Sequence, residues 1–398
     1  MKDANEHEIR AWLAEREPAM LALLAELVNI DSGSYDKPGV DAVGARLAQF
    51  FESAGIAVRT EPVAERGDVM RMATVPDHAG PDHAGTDRDA AAPAILLMGH
   101  RDTVFPKGEA SRRPFRIDGG RAYGPGVADM KGGLVMNAFV MAAFKQFAPG
   151  VPLVALMTGD EEIGSLASRP FIEREARKAR AVFNAEPGRV SGNVVTGRKG
   201  GLHFTFEVTG KAAHSGVNFT DGASAIGEMA HKILALHGLT RVPEGITVNV
   251  GLAGGGQSHN TTAPHARGEI DTRYVTNDQR DHLVASVERI MAEVQVPGTR
   301  SRATLLSEFL PLVPTPESEA VTGVYLSVAA ELGHPISGEF TGGCADSGFT
   351  ASLGAPTLCG TGPVGGKAHT ADEYIEVPSL LARAQILATT VLRMARPA

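Results

Sequence analysis

Acidic residues and histidines recur in this chain directly after short apolar runs. His100 and Asp102 follow the run 94–98, and Asp160, Glu161 and Glu162 follow 151–157. Glu186 follows 181–184, and His369 stands in a glycine-rich loop after a strand expected around 356–359. Asp129 lies in GPGVADMKGG at 124–133, a loop that opens a helix. Each of these alone reads as a capping or surface residue. Together, two histidines and several carboxylates form the N and O donor set that zinc accepts, and a carboxylate can bridge two ions. Asp102, two residues from His100, shares its face and can orient its imidazole. Competing chemistries lack their residues. HExxH, GxSxG and GxxxxGK[ST] are absent, and Gly254, Gly255 and Gly256 are not followed by a helical pattern. His78 and His83 stand in a tandem PDHAG repeat at 76–85, which reads as a solvated loop rather than a metal site.

The elements that must position these residues follow from periodicity. Helices fit 9–29, 39–54, 130–147 and 165–178, and they alternate with the apolar runs. Strand and helix in alternation describe a mostly parallel sheet flanked by helices, with ligands gathered beyond the strand ends. The pattern changes near residue 193. Leu202, Phe204, Phe206 and Val208 alternate with polar residues, as in a sheet with one buried face. Further strands fit 245–253 and 266–275, and helices fit 221–237 and 277–295. Helices near 317–332 and 378–395 restore the first style. The expected architecture is α/β over 1–193 and 309–398, with an inserted α+β domain at 194–308.

Composition bounds the function. The 398 residues suit two or three domains. A net charge of −8 argues against nucleic acid as a partner. Two cysteines exclude a disulfide scaffold and suit a reducing compartment. The N-terminal segment is charged, without an apolar leader, and no stretch approaches the ~18 apolar residues of a membrane span. The expectation is a cytoplasmic protein with no membrane partner.

The motifs resemble those of the di-zinc aminoacylase/carboxypeptidase family, which includes glutamate carboxypeptidase, acetylornithine deacetylase and succinyl-diaminopimelate desuccinylase. The matching pieces are GHRDTVF at 99–105, AYGPGVADMKGG at 122–133, TGDEEIGS at 158–165, NAEP at 184–187, GKAAHSG at 210–216 and AHTADEYI at 368–375. They stand in the family's order. LVNIDSG at 27–33, PFRIDGGRAYGPG at 114–126 and TGGCAD at 341–346 look most like the glutamate carboxypeptidase (carboxypeptidase G) branch. The resemblance implies two Zn2+ per chain, with Co2+ or Mn2+ as substitutes. It implies that Asp129 bridges the ions, that Glu162 and His369 complete one site, and that His100 and Glu186 complete the other. Asp102 would orient His100, and Glu161 would be the general base. A cis peptide is implied after Asp129. His214 would supply an oxyanion donor from the partner in a homodimer built on the inserted lid domain. Asn260 and Arg273 match residues that hold the substrate's α-carboxylate.

The expected function is a metal-dependent hydrolase of glutamate carboxypeptidase type. It would cleave the amide of an N-acyl amino acid or small peptide with a free C-terminal carboxylate. The alternative is an N-acyl amino acid deacylase of the acetylornithine deacetylase/aminoacylase type. Outside enzymes stands a catalytically silent binding protein on the same fold; the presence of Glu161 and all five ligands argues against it. The planar fork of a guanidinium suits a carboxylate. Arg267, Glu269, Asp271 and Arg273 also share one polar face, whose plain reading is exposed charge. A glutamate tail calls for a further basic group, yet Glu308 stands where one is expected. Asn193 and Val195 occupy a stretch where relatives place polar or basic side chains, and Arg198 and Lys199 are the substitutes at hand. Cys344 replaces the Thr or Gly of relatives, and a metal-activated water leaves no need for its thiol as nucleophile.

Overall fold

Runs of Val, Ile, Leu and Met too short for helices build the centre of the larger sheet. The computed structural model describes residues 2–75 and 93–395, so the PDHAG repeat with His78 and His83 lies outside the described residues. The sheet order is Ala57–Glu61, Val69–Ala73, Leu153–Thr158, Ala94–His100, Ala179–Asn184, Thr357–Cys359, Val194–Arg198 and Gly338–Thr341. The four strands from Leu153–Thr158 to Thr357–Cys359 are mutually parallel. Antiparallel strands flank them, so the sheet is mixed, with its parallel part where the ligand-bearing loops emerge.

Helix Gly132–Phe147 is apolar on all sides, and its first thirteen residues, Gly132 to Phe144, are buried. Helices of that kind sit inside a core. Segment 127–147 is long and apolar enough to cross a bilayer, contrary to the sequence expectation, but 94% of an apolar 18-residue stretch of it is buried within the protein. A second expectation changes at Pro18. The single helix read over 9–29 is two, Lys2–Glu15 and Glu17–Val28, because proline in a first turn has no N–H to continue the preceding ladder. A third sheet was not foreseen. It joins Gly365–Gly366, Tyr374–Glu376, Arg121–Tyr123 and Arg116–Asp118, strands too short to show periodicity.

The chain divides into two units. One comprises Met1–Gly197, Pro314–Phe340 and Phe349–Ala398, and the other Arg198–Val313 and Thr341–Gly348. The expected boundaries were 193/194 and 308/309. Val194–Arg198 pairs into the large sheet, with Val194 and Val195 fully buried there.

The second unit is an antiparallel sheet in the order Thr247–Gly255, His265–Tyr274, Gly200–Thr209 and Arg300–Phe309. Leu202, Phe204, Phe206 and Val208 face a core shared with helices Ala225–His237 and Asn277–Ala292. Arg300–Phe309 was missed because RSRATLLSEF lacks strict alternation.

Candidate active site

The parallel strands end together. In register, His100 stands opposite Thr158 and Met98 opposite Asn184. Glu161 and Glu162 on one side and Glu186 on the other therefore emerge beside His100. The loop carrying Asp129 leads into Gly132–Phe147. A Cβ on Gly133 would lie 2.1 Å from the Ala185 carbonyl oxygen, so glycine is what lets this loop approach Glu186. The Asp129–Met130 peptide is cis.

His100 is buried, and its Nδ1 faces the Asp102 carbonyl at 3.0 Å. Nδ1–H donates there, which turns Nε2 toward the carboxylates. Asp129 Oδ1 lies at 3.1 Å, Glu186 Oε1 at 3.7 Å and Glu161 Oε2 at 3.9 Å. Asp129 Oδ2 lies 3.3 Å from His369 Nε2, which is 3.2 Å from Glu162 Oε2. Asp129 thus offers one oxygen to each histidine.

The electrostatics reflect this crowding. Burial works to lower the His100 pKa, but hydrogen bonds to Asp102 and Asp129 and the Glu161 charge raise it well above its ordinary value. Hydrogen bonds to Asp129 and Glu162 push His369 up to about 10. Burial would raise Asp129, yet the two histidines hold its carboxyl below the usual range. Glu162 is pushed up, by burial first and then by the Asp129 charge.

Like charges this close repel by about 4 kcal/mol per pair at 4 Å and an effective dielectric near 20. Four carboxylates beside two imidazoles call for added positive charge, and two divalent cations match it. Two donor groups share His100: His100, Glu161 and Glu186, and His100, Asp129 and Glu162, each with its ligand atoms within 4.8 Å of one another. Glu162 Oε1 is buried with no hydrogen-bond partner among the described residues. An orphaned carboxylate oxygen in a ring of N and O donors fits a metal ligand.

Asp102 does more than face His100. It is fully buried and accepts from Ser34 Oγ at 2.7 Å, Glu161 N at 3.2 Å and Glu162 N at 3.1 Å. It therefore also fixes the turn that carries both glutamates. Ser34 was not foreseen, since nothing in the sequence ties residue 34 to residue 102. Glu373 was also missed, although it stands in the AHTADEYI motif. Its buried carboxylate accepts from three amides of the Asp129 loop.

The remaining expected residues lie in the second unit. His214 is exposed, and its Nδ1 accepts from Gly216 N and Val217 N at 3.1 and 3.2 Å. That leaves Nε2 as the ring nitrogen able to donate. Asn260 is close by: its carbonyl accepts from Ser215 N, and Thr261 bridges His214. Arg273 is held instead by a fork to Asp271, at 3.0 and 3.1 Å, and by Cys344 Sγ at 2.7 Å. Arg198 reaches the Gly343 and Cys344 carbonyls, while Lys199 is committed to the Gly245 carbonyl. Glu308 is paired with Arg280. Burial pushes the Cys344 thiol up, against the nearby Arg273 charge, so it is no activated nucleophile.

Residues 96–393 match the model of peptidase family M20/M25/M40. Carboxypeptidase G2 of Pseudomonas sp. (strain RS-16) is 27% identical over 389 residues, covering 95% of this chain and 90% of that protein. Acetylornithine deacetylase of Proteus mirabilis is 27% identical over 384 residues, covering 90% and 92%. The structure of aminopeptidase PepT from Bacillus cereus superposes with a TM-score of 0.75 at 22% identity, covering 96% of this chain and 99% of that one, which shows a shared fold.

Proposed function

The chain belongs to peptidase family M20/M25/M40, and from that premise we propose that it hydrolyses the amide bond of an N-acyl amino acid or small peptide with a free C-terminal carboxylate. The observation that carries this is Asp129, one oxygen at each of two histidines, inside a ring of buried glutamates. Asp129, Glu162 and His369 would hold one ion, and Asp129, His100 and Glu186 the other. Zinc suits this N and O set, and cobalt or manganese can stand in. When bound, such ions supply Lewis acidity and lower the pKa of water from 15.7 to about 7. Glu161, buried beside His100, takes the proton of the attacking water at a carboxylate oxygen and returns it to the leaving amine. The His214 Nε2–H donates to the oxyanion of the partner subunit's reaction. The exposed strand end from Gly251 to Gly255, at the edge of its sheet with Leu252 bare, supports a homodimer through this unit.

Arg273, once turned from its fork to Asp271, and Asn260 would anchor the substrate carboxylate. The Glu308–Arg280 pair argues against a glutamate side chain in the substrate. The position expected to grip a second carboxylate carries a negative charge, already spent on Arg280, so a neutral side chain suits the substrate better than glutamate.

The test strips the protein with a chelator, verifies the loss by elemental analysis, and reloads it with zinc or cobalt. N-acyl amino acids with neutral and acidic side chains are then assayed beside their carboxamides. Turnover should vanish on stripping, return on reloading, and favour the free acids. Full activity in verified metal-free protein, or equal hydrolysis of acid and amide, would overturn the proposal.

A further inference from the structure

The turn that carries His369 and the loop that carries Asp129 are separate in sequence, yet one buried carboxylate joins them. Strand Tyr374–Glu376 pairs antiparallel with Arg121–Tyr123, with Tyr374 opposite Tyr123. That register places Glu373 beside the first residues of the glycine-rich loop leading to Asp129. Glu373 is 0% exposed. One oxygen accepts from Ala128 N and Asp129 N, both at 2.9 Å, and the other from Gly126 N at 3.0 Å. Its own turn is fixed from the far side: Arg113 Nη1 donates to the Ala371 carbonyl at 2.8 Å, and Glu109 holds Arg113. His369, four residues earlier, stands in the left-handed region at φ 63°, a conformation that persists only where surroundings enforce it.

We propose that Glu373 is a positioning residue that locks the Asp129 loop to the His369 turn, so that the two ligands facing each other across one metal position are presented together. This rests on reading the cluster as a two-metal centre. A carboxylate can serve all three amides at once because it is acceptor-only. An amide in its place keeps one acceptor oxygen and turns an N–H toward an N–H. Glu373→Gln should therefore loosen Asp129 relative to His369 without removing a ligand. Outer-shell partners of this kind are worth about 10–100-fold in metal affinity.

The experiment titrates metal-free wild type, Glu373→Gln and Glu373→Asp with Co2+. It follows affinity, stoichiometry and the visible d–d spectrum, with circular dichroism confirming the fold. The expected result is two ions in the wild type, and in Glu373→Gln at least tenfold weaker binding of one ion with an altered spectrum. Glu373→Asp, which keeps the charge but shortens the reach, should fall between. In turnover, kcat should drop with KM nearly constant. A folded Glu373→Gln with wild-type affinity and spectrum overturns the positioning role and leaves the two-metal reading standing. A wild type that binds no ions overturns that reading itself. Should Glu373→Gln not fold, unchanged affinity and spectrum in Glu373→Asp would equally count against the proposal.

Discussion

The two units differ in how deeply they bury the residues expected to act in the site. In the first, His100, Asp129, Glu161, Glu162 and Glu186 converge with side chains between 1% and 13% exposed, while His369 beside them is 52% exposed. In the second, His214 and Asn260 are exposed, and the Arg273 side chain is 35% exposed. Buried carboxylates facing one another are costly unless a cation joins them, so their convergence speaks for a function. Exposed polar groups cost little wherever they lie, so their placement says less.

The contrast is tested most severely at the adjacent glutamates. Glu161→Gln should lower kcat by about 10²–10⁴-fold, the usual worth of a general base, with both ions retained. Glu162→Ala should lose an ion, measured by elemental analysis after dialysis. Metal loss at 161 with intact binding at 162 would exchange their roles. His214→Ala should cost about 10²–10³-fold, the range for one oxyanion donor. Mixing it with Glu161→Ala should restore some activity in exchanged dimers if His214 acts in the partner. Absence of recovery despite demonstrated subunit exchange, or an active monomer, would refute donation across the interface.

The first unit was legible because four of its site residues follow short apolar runs that read as buried strands. His100, Glu161, Glu162 and Glu186 needed only correct strand ends. What the motifs could not show is how they are braced. Asp102 caps the glutamate turn and accepts from Ser34, and Glu373 joins two loops; both depend on contacts made only after folding. The second unit was legible in its strand Gly200–Thr209, where alternation is strict, and not in Arg300–Phe309, where it fails. Arg273 was expected on a polar face, but its fork to Asp271 two residues earlier could not be told from an open guanidinium.

The second unit also contains one buried ion pair. Lys232 Nζ lies 2.8 Å from Glu228 Oε1, and the Glu228 carboxylate accepts from Gln295 N and Val296 N. Lys232→Met should destabilise the protein by about 3 kcal/mol, since it leaves a buried charge without its cation. Burial pushes the Glu228 carboxyl up, but the Lys232 ammonium and the two amides hold it below its ordinary range. A depressed carboxyl stabilises above its unfolded pKa, and that contribution is lost as pH falls through the folded value. Lys232→Met should therefore move acid unfolding to higher pH, followed by circular dichroism. An unshifted acid limb would mean that the amides alone hold the charge.

Arg273 can be opened or removed. Arg273→Ala should raise KM for N-acyl amino acids by about 10–100-fold, in line with about 1.5–3 kcal/mol for a hydrogen bond to a charged group, and leave the carboxamide unaffected. Asp271→Asn weakens the fork that competes for the same guanidinium and should lower KM for the acid. Opposite movement in both variants would show that Asp271, not substrate, is the partner Arg273 is built to hold.

The smallest effect is expected where the same ion types meet in water. Arg302 donates to Glu207 at 2.7 Å, closer than Lys232 stands to Glu228, yet the side chains are 76% and 53% exposed. The two residues sit opposite each other on paired strands, Arg302 against Glu207, so the backbone places them in contact without help from the charges. Solvent screens the attraction, and two long side chains lose freedom in making it. Arg302→Ala should therefore leave the denaturation midpoint almost unchanged, and still less altered in high salt. Glu207 needs no partner once water reaches it, whereas Glu228 does. Comparable losses from Arg302→Ala and Lys232→Met in the same denaturant titration would mean that burial does not separate the two pairs, and the contrast drawn from exposure would fail within a single unit of the molecule.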